Sequence, residues 1–225
     1  MNTERIIMKN IKNVILTLVI MLFANIAMAN EQPNLSADEA LLKLKQGNEH
    51  FVHVHMKHPD ETKHRREEMI KGQHPFVAIL SCSDSRVPSE IIFDQGLGDI
   101  FVIRNAGNVL DDHIIGSIEY AVLHLGIKLV VIMGHQECGA VKAAMSDTKE
   151  TKYIESLKKS IEPAVCKCKK CEKTSIDDVS KTHAKLDVEE LLQEDCELCE
   201  YMKSHKVKVI PAYYHLDTGV VEFLN

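Results

Sequence analysis

Short apolar runs alternate with longer amphipathic stretches through the middle of the chain. Three runs of five or six residues are rich in Val and Ile and predict strands buried on both faces: Phe76–Ser81, Ile100–Arg104 and Leu129–Met133. Helical spacing between them predicts helices over Pro88–Asp94 and His113–Leu125. Because strands and helices alternate, we predict a single α/β domain with a central, mainly parallel β-sheet flanked by helices.

Further elements are predicted on either side of this core. Ser36–His53 has the pattern of a helix, because Ser36 can cap its amino terminus and leucines follow at roughly helical spacing. We expect this helix to belong to an amino-terminal helical arm, residues 30–75. Near the carboxyl terminus, Val207–Tyr213 and Val220–Leu224 predict a terminal pair of strands joined by a turn.

The first 29 residues have the pattern of a secretory signal peptide. Three basic residues precede an apolar run that ends in a small-residue cleavage pattern: Arg5, Lys9, Lys12, Val14–Ile26 and Ala27-Met28-Ala29. An uncleaved membrane anchor is the alternative, but the run is shorter than the roughly 20 apolar residues that a spanning helix needs. We therefore expect cleavage before Asn30, export to the periplasm, no lasting membrane anchor and a mature domain over residues 30–225.

Cleavage at this position makes the chain more acidic. It removes three of the 27 Lys and Arg residues and one of the 33 Asp and Glu residues, which leaves 24 and 32 and a formal charge of −8. This balance disfavours nucleic acid as a partner. With 45% hydrophobic residues, the chain can bury a substantial core.

Potential metal ligands follow two of the predicted strands. Cys82 comes directly after the first strand, and His135 and Cys138 follow the third. Ligands in open α/β sheets bind beyond the carboxyl ends of the strands, so these two segments should converge. Two thiolates and one imidazole provide three ligands for tetrahedral zinc, with the fourth position open as in catalytic sites. Taken singly, Cys82 is better explained as a buried structural cysteine and His135 as a turn histidine.

Asp84 and Arg86 favour a catalytic site over these structural explanations. They place a carboxylate and a guanidinium two residues apart in the loop that follows Cys82. A bidentate pairing with arginine keeps such a carboxylate ionised and oriented. We therefore regard Asp84 and Arg86 as candidate catalytic residues.

Two motifs of the chain resemble the signature motifs of β-class carbonic anhydrases: Cys82-Ser83-Asp84-Ser85-Arg86 and His135-Gln136-Glu137-Cys138-Gly139. The spacing between them also fits that family. Further segments that resemble it are Gly47-Asn48-Glu49-His50-Phe51, Arg104-Asn105-Ala106-Gly107-Asn108 and Ala212-Tyr213-Tyr214-His215-Leu216-Asp217-Thr218-Gly219. Together these segments extend over essentially the whole mature chain.

The resemblance implies reversible hydration of carbon dioxide to bicarbonate and a proton. It implies one catalytic zinc ion per chain, held by Cys82, His135 and Cys138. Asp84 would accept a hydrogen bond from the attacking water, and Arg86 would hold Asp84 in place. The resemblance also implies a homodimer or a higher even-numbered oligomer.

The segment after the second predicted strand is a candidate substrate pocket. Ala106, Gly107 and Asn108 are predicted to form part of its wall, where small residues leave room for carbon dioxide. A tight turn between strand and helix explains Gly107 equally well. Some members of the family close the site by moving the aspartate onto zinc, under control of a bicarbonate pocket that includes a tryptophan. Since the chain has no tryptophan, we expect a permanently open site.

Five further cysteines have no counterpart in the catalytic motifs: Cys166, Cys168, Cys171, Cys196 and Cys199. The first three lie in a charged stretch, residues 147–195, whose weak hydrophobic pattern predicts a variable insertion. Their CxCxxC and CxxC spacing suits either disulfides or a second, structural metal ion. Because the signal pattern predicts an oxidising compartment, we favour disulfides.

Two other functions fit parts of the sequence. A related zinc hydrolase that acts on carbon disulfide or carbonyl sulfide could use the same three ligands. A non-enzymatic metal-binding or thiol-exchange protein would use the cysteine clusters and keep the α/β domain as a scaffold. Such a protein would not need Asp84 paired with Arg86.

Overall fold

The computed structural model of the protein describes residues 35–169, 174–193 and 197–225. The predicted signal peptide (residues 1–29), Asn30, Cys171 and Cys196 lie outside these ranges. The helices are α1 (Ala37–Val52), α2 (Lys63–Met69), α3 (Ser89–Ile92), α4 (Asp112–Leu123), α5 (Gly139–Ala144), α6 (Lys152–Cys168), α7 (Ile176–Leu191) and α8 (Glu197–Ser204). The strands are β1 (Val77–Cys82), β2 (Ile100–Asn105), β3 (Leu129–His135), β4 (Lys208–Tyr214) and β5 (Val221–Phe223). None of the helices in the described ranges is long and apolar enough to span a membrane.

The five strands form one sheet in the order β2-β1-β3-β4-β5. Strand β1 pairs in parallel with β2 and β3, and β3 pairs in parallel with β4. Strand β5 runs antiparallel to β4, as expected for a strand pair joined by a tight turn. The predicted single α/β domain with a mainly parallel sheet is therefore confirmed.

Burial differs between the central strands and the edge. Every residue of β1 and β3 is buried, as predicted. The prediction that the second strand is also buried on both faces is wrong, because most of β2 is half-buried and Arg104 is exposed. The reason is topological, since β2 lies at the edge of the sheet and has only β1 as a neighbour.

Helices cover both faces of the sheet. Side chains along a strand alternate between its two faces, so neighbouring residues of β1 enter different apolar clusters. Ile79 lies in one cluster with Leu44 of α1, whereas Leu80 lies in the other with Ile118 of α4 and Ala184 of α7. The buried residues of both clusters are at most 9% exposed, and they pack against β1 and β3 from either side of the sheet.

Helix α1 begins where the sequence predicts. The Ser36 side chain accepts a hydrogen bond from the Glu39 N–H and the Glu39 carboxylate accepts one from the Ser36 N–H, which is a capping box. Buried Asn48 donates to the carbonyl of Gly219 at 2.8 Å and accepts from the N–H of Val221 at 2.8 Å. These bonds connect α1 to the turn and strand at the carboxyl end of the domain.

The charged stretch over residues 147–195 contains two helices, α6 and α7, whose extents the sequence pattern did not predict. Helix α7 begins with a second capping box, between Ser175 and Asp178. Its buried face includes apolar side chains such as Val179 and Ala184, which belong to the core. Helices α6 and α7 therefore form part of the packed domain.

Candidate active site

Cys82, His135 and Cys138 meet at one edge of the sheet. Cys82 ends β1, His135 ends β3, and Cys138 is the residue before the first turn of α5. Because β1 and β3 are adjacent parallel strands, their carboxyl ends lie side by side. One ligand atom from each of the three residues lies within 4.8 Å of the others, and all three residues are buried. The structure thus brings together the three residues that the sequence suggested as zinc ligands.

The two ring nitrogens of His135 differ in their hydrogen bonding. Its Nδ1 lies 2.9 Å from the carbonyl oxygen of Gln136. A carbonyl only accepts, so Nδ1 carries the hydrogen and Nε2 keeps its lone pair. Nε2 is buried and, within the described part of the chain, has no hydrogen-bond partner. A buried nitrogen without a partner is costly, and a metal ion between it and two cysteine sulfurs removes that cost.

The two thiols affect each other. The pKa of Cys82 is lowered because the Cys138 thiol donates a hydrogen bond to its sulfur, and the backbone N–H groups of Gly107 and Asp84 donate to the same sulfur. The pKa of Cys138 is raised because its proton is held in that hydrogen bond and because its thiol is buried. The cluster therefore favours one thiolate by itself, and a bound cation would favour the second.

Asp84 is held by Arg86 in the bidentate arrangement that the sequence suggested. Arg86 Nε donates to Asp84 Oδ1 at 2.9 Å and Nη2 donates to Oδ2 at 2.7 Å. These bonds hold the pKa of Asp84 well below its usual range. Arg86 Nη2 also approaches the carbonyl of Glu137 at 3.4 Å, which connects the pair to the loop that carries Cys138.

Arg104, which was not among the predicted site residues, supports the same loop. Its Nε donates to the carbonyl of Cys82 at 3.1 Å, and its Nη2 donates to the carbonyl of Asp84 at 2.7 Å. Two sequence signals point to it: it ends the second predicted strand, and it opens the segment Arg104–Asn108 that resembles the family. In the sheet it pairs with Ser81 in the parallel register. Arg104 thus fixes the backbone on both sides of Ser83.

Ala106, Gly107 and Asn108 form a short 3-10 turn directly after β2. Ala106 is exposed, whereas Gly107 and Asn108 are buried. Gly107 has a φ of 79°, and a Cβ at this position would lie 2.8 Å from the Cβ of Ala140. Its N–H donates to Cys82 Sγ at 3.3 Å. Gly107 is therefore explained by a tight turn close to Cys82, and the role of the three residues as a pocket wall stays a prediction.

The extra cysteines lie in different surroundings. Among the described residues, Cys166 is exposed and Cys168 is buried at the end of α6, and both are free thiols. Cys199 in α8 is disulfide-bonded. Within the described ranges, no second group of three potential ligands lies close enough together to hold a metal ion. Cys171 and Cys196 are outside these ranges, so a second metal site stays a prediction.

Comparisons with known proteins indicate the same family as the two motifs. Residues 77–221 match the family model described as carbonic anhydrase. Carbonic anhydrase 2 of Mycobacterium tuberculosis is 37% identical over 191 residues, which cover 83% of this chain and 92% of that protein. A carbonic anhydrase of Mycolicibacterium smegmatis is 35% identical over 194 residues, which cover 84% of this chain and 94% of that protein.

Solved structures of β-carbonic anhydrases share the fold. The β-carbonic anhydrase CafA of Aspergillus fumigatus has a TM-score of 0.62 at 29% identity, and the match covers 84% of this chain and 90% of that one. A Sordaria macrospora enzyme, from a study of two tetrameric β-carbonic anhydrases, has a TM-score of 0.65 at 22% identity, with 93% and 97% coverage. The resemblance in the two signature motifs is confirmed, and the chain belongs to the β-carbonic anhydrase family.

Proposed function

We propose that the protein is a zinc enzyme that catalyses the reversible hydration of carbon dioxide to bicarbonate and a proton. The observation that carries the proposal is the buried cluster of Cys82, His135 and Cys138 beside a carboxylate that Arg86 keeps ionised. Membership of the carbonic anhydrase family supports the same reaction. A protein that only stores metal or exchanges thiols would not need this carboxylate.

The donor set of the cluster suits zinc. Two sulfurs and one imidazole nitrogen are ligands that zinc prefers, and three protein ligands are typical of catalytic sites. When bound, zinc supplies the Lewis acidity that lets a water molecule ionise near neutral pH. Cys82, His135 and Cys138 would hold the ion, and the bond from His135 Nδ1 to the Gln136 carbonyl would keep the ring oriented.

Asp84 would orient the attacking water. An ionised carboxylate only accepts hydrogen bonds, so a water beside Asp84 donates a hydrogen to it. A lone pair of that water then points away from Asp84 and is available for attack. The low pKa of Asp84, which Arg86 causes, keeps the group in this accepting form. Movement of Asp84 onto the metal would break two hydrogen bonds to Arg86, and this supports the proposal of a permanently open site.

The assay that tests this function also separates it from the sulfur-analogue alternative. Purified, zinc-loaded protein is mixed with carbon dioxide in a stopped-flow instrument, and the released protons are followed with a pH indicator. Parallel reactions with carbon disulfide and carbonyl sulfide are followed by sulfide release. Hydration of carbon dioxide that is lost in Cys138→Ser supports the proposal. Turnover of the sulfur compounds alone would replace it with a hydrolase, and no turnover of any of the three would favour the non-enzymatic alternative.

We also propose that the mature protein is an even-numbered homo-oligomer. The Sordaria macrospora structure described as tetrameric supports this, and so do large apolar side chains that the single chain leaves exposed, such as Ile91 and Leu97. Light scattering after size-exclusion chromatography should give a mass that is an even multiple of the chain. A monomer at micromolar concentration would contradict the proposal.

Export is proposed from the pattern of residues 1–29 alone. Sequencing of the amino terminus of protein recovered from the periplasmic fraction should give Asn30 as the first residue. Recovery of an uncleaved chain from the cytoplasm would contradict export.

A further inference from the structure

A buried polar pair on α7 lies next to the candidate site, and the proposed reaction does not use it. His183 and Asp187 are one helical turn apart and only 2% and 4% exposed. Nδ1 of His183 lies 3.3 Å from Oδ1 of Asp187. Buried polar groups are costly unless they are paired, so the other atoms of these side chains also need partners.

Both side chains contact the turn that follows β2. Nε2 of His183 lies 3.1 Å from the carbonyl oxygen of Gly107, and Asn108 donates to Asp187 Oδ2 at 3.3 Å. Because the carbonyl of Gly107 only accepts, Nε2 of His183 must carry the hydrogen. Helix α7 therefore contacts two consecutive residues of the turn through hydrogen bonds.

This turn has a backbone that needs such support. Gly107 and Asn108 have positive φ angles of 79° and 48°, in the left-handed region. Residues in that region persist where their surroundings hold them in place. On its other side, the N–H of Gly107 donates to the sulfur of Cys82 at 3.3 Å. One peptide segment is thus connected to His183 by its carbonyl and to a candidate metal ligand by its N–H.

The protonation of the pair suits this arrangement. Burial lowers the pKa of His183 to about 4 and raises the pKa of Asp187 to about 8, so both side chains are neutral near neutral pH. A neutral imidazole that donates through Nε2 has a lone pair on Nδ1, and the protonated carboxyl group of Asp187 can donate to it. No net charge is buried beside the turn.

We propose that His183 and Asp187 are positioning residues, which hold Gly107 so that its N–H stays on the Cys82 sulfur and strengthens metal binding there. The proposal rests on the zinc site proposed above. Residues behind the ligands of a metal commonly change metal affinity about 10-fold to 100-fold when they are mutated. We expect an effect in that range, although neither side chain contacts a ligand directly.

Three variants on one face of α7 test the proposal. His183→Leu removes the donor to Gly107, and His183→Gln places an amide donor near the same position. Ser180→Ala is the matched control, because Ser180 is 1% exposed and its Oγ has no hydrogen-bond partner in the described part of the chain. Each protein is loaded with zinc, and zinc transfer to a coloured chelator is followed. The cobalt(II) form of each is examined for its thiolate-to-cobalt absorption band, which reports the hydrogen bonding of the sulfur.

We expect His183→Leu to release zinc at least about 10-fold faster than wild type and to shift the thiolate band. His183→Gln should remain close to wild type, and Ser180→Ala should match it in both measurements. Wild-type release and an unshifted band in folded His183→Leu would overturn the proposal. If circular dichroism indicates that His183→Leu is unfolded, zinc release from Asp187→Leu is compared with release from Asp187→Asn. Asp187→Leu should release zinc faster, since only the amide can both donate to His183 and accept from Asn108. Equal release from those two variants would overturn it as well. A wild-type protein that holds no metal would instead contradict the zinc site itself.

Discussion

Replacing Gly107 with alanine tests the turn between β2 and the metal cluster. An L-residue in the left-handed region costs roughly 1–2 kcal/mol, and Gly107 has a φ of 79°. The new methyl group would lie 2.8 Å from the Cβ of Ala140 and 3.1 Å from Cδ1 of Ile161. Ile161 is fully buried and Ala140 packs against the same cluster, and overpacking in such surroundings costs about 1–3 kcal/mol. Since the two costs have separate origins, we expect the free energy of unfolding to fall by about 2–5 kcal/mol.

Thermal unfolding measures this effect. A domain of this size loses roughly 2–4 °C of Tm per kcal/mol, so the midpoint should fall by about 4–20 °C. Gly116→Ala is the matched control, because Gly116 lies in α4 and a Cβ there meets nothing within 4 Å. That change should leave Tm unchanged or raise it, since alanine stabilises helix interiors by up to about 1 kcal/mol. Equal melting of Gly107→Ala and wild type would show that the turn accepts a Cβ without strain.

Three further predictions concern charge and thiols. Asp84→Asn should keep its zinc but hydrate carbon dioxide about 100-fold more slowly or worse, because the amide can offer a donor where an acceptor is needed; metal analysis beside initial rates checks this. The free energy of unfolding of wild type should fall relative to that of Asp187→Asn as pH rises from about 4 to about 8, because a carboxyl with a raised pKa destabilises the fold progressively between its unfolded and folded pKa values. Urea unfolding of both proteins at several pH values measures this, and a difference in free energy that does not change with pH would contradict it. In unreduced native protein, an alkylating reagent should label exposed Cys166 rapidly, buried Cys168 only after unfolding, and Cys199 only after reduction, as mass spectrometry can establish.

The part of the fold that carries the metal cluster could be predicted because its signals are local. Buried parallel strands appear in sequence as short apolar runs, and the ligands directly follow those runs. The strands continue slightly further than the apolar pattern, since Cys82 and His135 are themselves paired in the sheet, with Asn105 and Tyr214. A polar residue at a strand end can remain in the ladder, and hydrophobicity alone does not reveal this.

Helix α7 could not be predicted in the same way. Its buried face carries Ser180, His183 and Asp187 among the apolar residues, so the hydrophobic period is interrupted where the helix contacts the turn after β2. Arg104 is a similar case, because its bonds to the carbonyls of Cys82 and Asp84 exist only once β2 lies beside β1. Such contacts depend on tertiary structure and leave no periodic signal in the sequence.

Titration with zinc tests most directly whether one zinc ion at the cluster makes the protein hydrate carbon dioxide. Metal-free protein is titrated with zinc while the initial rate of hydration is recorded, and Cys138→Ser is titrated in parallel. We expect a rate that rises in proportion to added zinc and levels off at one equivalent per chain, with Cys138→Ser remaining inactive at that equivalent. Full activity before zinc is added, or equal activation of Cys138→Ser, would contradict it.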